Sequence, residues 1–322
     1  MKNRTLILLW ATCVWSTEVN AVTDRPIIGI LAQDAYEIFS KKDNSYIVAS
    51  YVKYIESAGA RVVPIFINQT RDYYTNIFNA VNGVLIPGGG ANLDTSGYGK
   101  AGKILYNLAI VANQKGDYFP VWGTCLGFEL LTYLAANGTS WMKSCWTQDL
   151  ALSLKISEGY KKSRIFKAIP SDVMKYVTSL PVAINYHKWC LTPENFTKSG
   201  LNETFQILST NKDTTGITFI STIEAYRYPF YAIAWHPEKN LFEWVNTKSH
   251  HNIPHTAEAI RVGQHFANFF VGEARKNNHK FPSTKEEASS LIYNYNPEYV
   301  GIEGSNYQQV FFFKSGLKAT SP

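Results

Sequence analysis

Residues 118–138 read YFPVWGTCLGFELLTYLAANG. A short apolar run, Phe119 to Trp122, meets a Gly-x-Cys-x-Gly turn formed by Gly123, Thr124, Cys125, Leu126 and Gly127. Behind the turn, Leu126, Leu130, Leu131 and Leu134 recur at helical spacing until Asn137-Gly138 ends the pattern. Strand, glycine-flanked turn and helix together predict a nucleophile elbow, which lifts Cys125 to the end of a sheet at a helix N-terminus. The helix dipole and unpaired N–H groups there favour a thiolate. An isolated cysteine beside loop glycines is more often structural; the strand–turn–helix setting turns the reading toward a nucleophile.

Upstream, Pro26 to Leu31 reads as a buried strand, and residues 46–58 as a helix with Ile47, Tyr51, Val52 and Ile55 in register. Strands follow over 61–66 and 83–86, the latter ending in Pro87-Gly88-Gly89-Gly90, with helices over 71–81 and 100–114. Strands alternating with helices predict an α/β fold, a mostly parallel sheet flanked by helices and buried on both faces. Past Gly138 the rhythm changes. Runs over 151–156, 204–209, 216–220 and 230–235 read as strands with little helix between them, before a strong helix over 256–276. One domain over residues 22–322 is expected, with 278–322 as a C-terminal extension. The tail aromatics (Tyr293, Tyr295, Tyr299 and Phe311 to Phe313) suit an edge strand or a contact surface, which leaves a homodimer open.

The chain has 322 residues and carries 31 Lys and Arg against 25 Asp and Glu, a net charge of +6 without any charge run. That fits mild attraction to anionic ligands and argues against a nucleic-acid partner. Lys2 and Arg4, the apolar run Leu6 to Trp15 and the small residues at Val19-Asn20-Ala21 form a secretory signal peptide over residues 1–21. No later stretch is apolar enough to span a bilayer, so the expected address is the extracellular space and the lysosome. Sequons at Asn68, Asn137, Asn195 and Asn202, in predicted loops, agree with glycosylation there. With Cys13 removed, Cys125, Cys145 and Cys190 remain. In an oxidising compartment either one thiol stays free or one pairs with another chain; a Cys145–Cys190 bridge that leaves Cys125 free is the economical arrangement.

A thiol nucleophile needs a base. His236 follows the apolar run Phe230 to Trp235 and opens the triplet His236-Pro237-Glu238, so a strand delivers an imidazole with a carboxylate two residues on. Judged alone, a strand-end histidine beside a solvated glutamate is the better reading; Cys125 gives it a partner. His187, in Asn185-Tyr186-His187-Lys188-Trp189, suits substrate contact more than base chemistry. Glu129, one turn into the Cys125 helix, could face the site or cap its own first turn. The glycine loop after Pro87 lacks the spacing of a phosphate or dinucleotide cradle, but it lets N–H groups point at a bound oxygen. His250, His251 and His255 fit no metal spacing, and neither metal nor cofactor is expected.

Pro87-Gly88-Gly89, Gly123-Thr124-Cys125-Leu126-Gly127 and His236-Pro237-Glu238, in this order, resemble the class I glutamine amidotransferases, whose fold is a flavodoxin-like three-layer α/β sandwich. The run from Ser50 to Pro64 and the Tyr186-His187 segment look like the gamma-glutamyl hydrolases, also called folylpolyglutamate hydrolases. The similarity extends from about Pro26 to the tail. It implies Cys125 as nucleophile, His236 as general base and acid, and Glu238 as the group that orients the imidazole. N–H groups of Leu126 and of Gly88, Gly89 and Gly90 would form the oxyanion hole, and Tyr186, His187, Trp189 and Glu129 would line the substrate side. The implied reaction is hydrolysis of γ-glutamyl bonds in folate and antifolate poly-γ-glutamates through a thioester. Two alternatives are a hydrolase of other γ-glutamyl amides and a non-catalytic binding protein on the same fold. An unperturbed thiol is thiolate to roughly one part in three thousand at pH 5. A Cys125–His236 ion pair would restore it, since such pairing lowers a thiol pKa to about 3–4; a resting thiolate at lysosomal pH is therefore expected.

Overall fold

The computed structural model describes residues 22–35, 39, 44–301 and 305–314. In chain order the first half comprises β1 (Ile27–Leu31), β2 (Gln33–Asp34), β3 (Ser45–Val48), α1 (Ala49–Ser57), β4 (Arg61–Ile65), α2 (Arg71–Phe78), β5 (Gly83–Ile86), α3 (Gly97–Gln114), β6 (Val121–Thr124) and α4 (Leu126–Ala135). Short strands β7 (Lys143–Ser144), β8 (Leu150–Leu152) and β9 (Lys155–Ile156) lead to α5 (Ser171–Ser179), β10 (Ala183–Asn185), β11 (Trp189–Cys190) and α6 (Pro193–Lys198). The chain closes with β12 (Phe205–Lys212), β13 (Thr218–Ala225), β14 (Phe230–Ile233), α7 (Pro237–Phe242), α8 (Ala257–Ala274), α9 (Thr284–Ser290), β15 (Glu298–Tyr299) and β16 (Gln309–Phe313). The signal segment 1–21 lies outside the described residues.

The expected α/β class holds. Eight strands form one sheet in the order β4-β1-β5-β6-β14-β13-β12-β9, parallel from β4 to β14 and antiparallel beyond. Strands β1, β5, β6 and β14 are buried at every residue, as a sheet covered on both faces requires. Helices α1, α7 and α8 pack together, as do α2, α3 and α4. Trp122 on β6 sits against Phe266, Phe269 and Phe270 of α8, with ring centroids 5.6–6.4 Å apart. Each such aromatic pair adds about 0.5–1.5 kcal/mol beyond area burial, so the strand that ends in Cys125 is anchored firmly.

Three readings change. Tyr46, Ile47 and Val48 form β3 rather than the first turn of a helix, because the tail strand β16 pairs with them antiparallel, Phe311 opposite Ile47 and Phe312 opposite Tyr46. Bulky aromatic and β-branched residues suit a pleated surface, and their partner lies more than 250 residues away. The tail thus joins a separate four-stranded sheet, β15-β16-β3-β2, and not the main one. Beyond Gly138 there is also more helix than expected. α5 buries only Val173 and Val177, too narrow a stripe to register as a period, and α6 has six residues, opened by the Thr192 cap and Pro193.

Candidate active site

Parallel neighbours β5, β6 and β14 end side by side, with Ile86 opposite Gly123 and Ile233 opposite Thr124. Their carboxyl ends deliver the Gly88 loop, Cys125 and His236 to one place, where ligands of open α/β sheets bind. Cys125 has φ 52° and ψ −105°, in the region L-residues avoid. The Cys125 N–H donates to Ile233 C=O at 2.8 Å, and the Cys125 C=O accepts from Glu129 N–H at 3.0 Å. Such backbone strain costs about 1–3 kcal/mol and persists only where surroundings enforce it. Here the two flanking glycines do so: a Cβ on Gly123 would stand 2.6 Å from the Gly127 carbonyl oxygen, and one on Gly127 would overlap the Ile86 carbonyl.

Gly88 lies at the centre of the constellation. A Cβ on it would stand 2.8 Å from Tyr51 Oη, 2.9 Å from His236 Cε1 and 3.1 Å from Cys125 Cβ. Its N–H donates to Tyr51 Oη at 2.9 Å and its C=O accepts from Gln33 Nε2 at 2.8 Å. The Gly88 N–H is therefore occupied and is not the oxyanion donor the resemblance implied. Gly89 and Gly90 line the cleft from the same loop, and Leu126 N–H points at the Cys125 sulfur.

His236 is buried, with Nδ1 2.6 Å from Glu238 Oε1. A carboxylate accepts only, so the proton sits on Nδ1, and Nε2 keeps a lone pair that is buried and without a partner among the described residues. Tyr51 Oη lies 3.4 Å from the same Nδ1. Burial pushes the His236 pKa down, against the pull of Glu238, so the imidazole stays neutral below the usual histidine range. Burial also pushes the Cys125 thiol up, helped by the carboxylates of Glu129 and Glu238 and opposed by Leu126 N–H and Lys239. The resting ion pair expected from the sequence is thus disfavoured: the surroundings hold a neutral thiol beside a neutral imidazole, because both are taken out of water.

A cleft of about 550 Å³ opens beside Cys125. Glu129, Tyr186, His187 and Trp189 all line it, so the structure brings the expected substrate-side residues together. Burial raises the Glu129 pKa to about 7. Trp189 is 55% exposed. His187 is buried, its Nδ1 3.0 Å from Trp189 C=O and its Nε2 3.2 Å from Asn185 Oδ1, and burial lowers its pKa to about 4. Both ring nitrogens face the protein, so His187 braces the Tyr186–Trp189 loop more than it reaches outward. The Cys145–Cys190 disulfide ties β7 to β11 in the same loop, and Cys125 is free. Sequence reasoning missed Tyr51 and Gln33, whose contacts are made across 37 and 55 residues; Tyr51 lay hidden in the apolar register of a helix.

Fold and site define a cysteine-type hydrolase. Residues 26–238 match the Peptidase C26 family. The chain is 45% identical to gamma-glutamyl hydrolase of Mus musculus over 300 residues, 92% of each chain, and 45% identical to that of Homo sapiens over 291 residues, 90% of each. Among solved structures, the glutaminase domain of Trypanosoma brucei CTPS with bound acivicin superposes with a TM-score of 0.48 at 13% identity, covering 80% of this chain and 96% of that one. The chain belongs to the Peptidase C26 family, alongside the gamma-glutamyl hydrolases.

Proposed function

We propose that Cys125, His236 and Glu238 carry out hydrolysis of γ-glutamyl bonds in folate and antifolate poly-γ-glutamates. The observation that supports this most is the buried, unpartnered Nε2 of His236 at the end of β14, next to Cys125 at the end of β6. As the sulfur attacks the γ-carbonyl carbon, the thiol proton passes to Nε2, and Glu238 stabilises the imidazolium. The oxyanion lies against Leu126 N–H and an N–H of Gly89 or Gly90; one such donor contributes about 3–4 kcal/mol. The imidazolium then protonates the leaving nitrogen, the C–N bond breaks, and a thioester remains. Water loses its proton to Nε2, attacks the thioester carbon, and the C–S bond breaks with return of the proton to sulfur. Starting from a neutral pair suits acidic conditions, because a depressed His236 pKa keeps the base available there.

A cleft of about 550 Å³ falls within the roughly 300–1,000 Å³ common for small-molecule sites. Trp189 offers an open ring face for a pterin or aminobenzoyl group, and Lys188 beside it a cation for glutamate carboxylates. Glu129, protonated below about pH 7, can donate a hydrogen bond to an anionic substrate without repelling it.

Secretion, with residence in the lysosome, is part of the same reading. It is supported by the leader pattern in residues 1–21 and by exposed Asn68, Asn137 and Asn202 as glycan acceptors. Asn195 fits less well: it sits in α6 and donates through Nδ2 to Trp141 C=O at 2.8 Å. Among the described residues no helix is long and apolar enough to cross a membrane. Exposed Tyr293 and Tyr299 are where a second copy would dock.

The test is incubation of purified protein with a folate poly-γ-glutamate at acidic pH beside Cys125→Ala. Release of glutamate or shorter folates by wild type alone supports the proposal. Binding without cleavage by wild type means a non-catalytic protein on this fold.

A further inference from the structure

Lys239 lies on α7, three residues after His236, and its side chain is only 3% exposed. Among the described residues its ammonium makes no ion pair or hydrogen bond. It is clasped between two tyrosine faces, with Nζ 5.1 Å from the Tyr186 ring centroid and 4.8 Å from that of Tyr307. Cation–π contact offsets only part of what burying an ammonium costs. Two buried carboxylates, Glu238 and Glu243, lie nearby. Glu238 holds His236 Nδ1; Glu243, one turn away, attracts Lys239 and accepts Gln308 N–H at 2.7 Å through Oε2, while its Oε1 is buried without a hydrogen bond among the described residues. An ammonium with no hydrogen bond or ion pair of its own among the described residues keeps its donors free for an anion from outside.

Position says which anion. Tyr186 forms part of the cleft wall and packs edge-on against His236 at 6.0 Å, so Lys239 lies behind that wall, next to the reacting groups. Its charge is felt by Cys125, His236 and His250 alike. Lys188, on the cleft lining, instead leans over the Trp146 ring at 5.8 Å. In a γ-glutamyl residue the α-carboxylate carbon lies four C–C bonds from the carbonyl under attack, roughly 5 Å in extended form. The inner lysine is the cation whose charge acts on Cys125 itself, so it is the one for an anion this close to the scissile bond.

Building on the γ-glutamyl reading above, we infer that Lys239 receives the α-carboxylate of the glutamyl residue whose γ-carbonyl Cys125 attacks. The enzyme then recognises a free α-carboxylate on the acyl side of the scissile bond. That would separate γ-linked glutamate from side-chain amides lacking the charge.

The test compares two substrates with the same leaving group, one with a free α-carboxylate on the acyl-side residue and one with an α-carboxamide. Wild type is expected to favour the carboxylate by about ten- to a hundredfold in kcat/KM, the scale of one charge-assisted contact. Lys239→Met should erase that preference, lowering the carboxylate substrate's kcat/KM about as much while leaving the carboxamide within about threefold. Lys239→Arg should keep part of the preference. Lys239→Gln, which retains length and polarity, serves if the methionine variant does not fold. Equal losses on both substrates would make Lys239 a packing or electrostatic residue and overturn the inference, as would a preference that survives in Lys239→Met. Cleavage of neither substrate by wild type would overturn the γ-glutamyl reading itself.

Discussion

Replacing Gly88 with alanine tests whether the catalytic groups really converge on one backbone position. The added Cβ would meet Tyr51 Oη at 2.8 Å, His236 Cε1 at 2.9 Å and Cys125 Cβ at 3.1 Å. None of these can retreat easily. Tyr51 Oη accepts the Gly88 N–H, His236 is pinned by Glu238, and Cys125 sits in a strained turn between two tight glycines. Overpacking a filled interior costs about 1–3 kcal/mol, which lowers the melting temperature by roughly 1.5–5 °C in a chain of this size. Misplacement of reacting groups by an ångström costs about a hundredfold in rate. Gly88→Ala should therefore lose about two orders of magnitude in kcat, with KM within about threefold because Trp189 and Lys188 are untouched. Gly272→Ala is the control: it lies in α8, a Cβ there meets nothing within 4 Å, and the change should stabilise by about 0.4–1 kcal/mol. Steady-state kinetics on a defined γ-glutamyl substrate and a thermal melt suffice. Gly88→Ala activity within about threefold of wild type would refute the convergence.

Three further outcomes follow from the site's electrostatics. Glu238 raises the His236 pKa against the larger lowering by burial, so Glu238→Gln should move the acid limb of the kcat/KM profile to lower pH while reducing the rate about 10²–10⁴-fold; a limb that moves up in pH contradicts the assignment. Glu129 ionises only near pH 7 and then adds negative charge beside Cys125 and the substrate's carboxylates. Wild-type kcat/KM should fall as pH rises through about 7, and Glu129→Gln should flatten that fall; an unchanged fall assigns it to another group. Because burial and two carboxylates raise the Cys125 pKa, iodoacetamide should modify the free enzyme slowly at acidic and neutral pH and faster only toward alkaline pH. A rate that stays high down to pH 5 would restore the resting ion pair.

What could be read from the residues alone was whatever local chemistry determines. The elbow is a contiguous signal, since glycines at 123 and 127 are demanded by neighbours within one turn and one adjacent strand. Alternation of apolar runs and helical periods showed the parallel sheet for the same reason. Long-range contacts were not legible. β3 read as helix because its partner β16 comes from the far end of the chain. The role of Gly88 was misassigned because Tyr51 Oη, brought in by α1, takes its N–H. The charge state of Cys125 failed for a related reason: a helix N-terminus and a nearby histidine argue for a thiolate, and only the folded chain reveals how completely both are removed from water. The Cys145–Cys190 bridge, the economical arrangement on cysteine count, is the one formed, with Cys125 free.

The thioester on Cys125 is the intermediate on which everything else depends. Mixing wild type with excess folate poly-γ-glutamate, quenching in acid within milliseconds and mapping the intact chain and its peptides by mass spectrometry looks for it directly. The folyl-γ-glutamyl acyl group should appear on the peptide carrying Cys125, disappear as product accumulates, and be absent from Cys125→Ala, which should not turn over. Undiminished hydrolysis by Cys125→Ala, or an acyl group mapped to any other residue, would contradict the account.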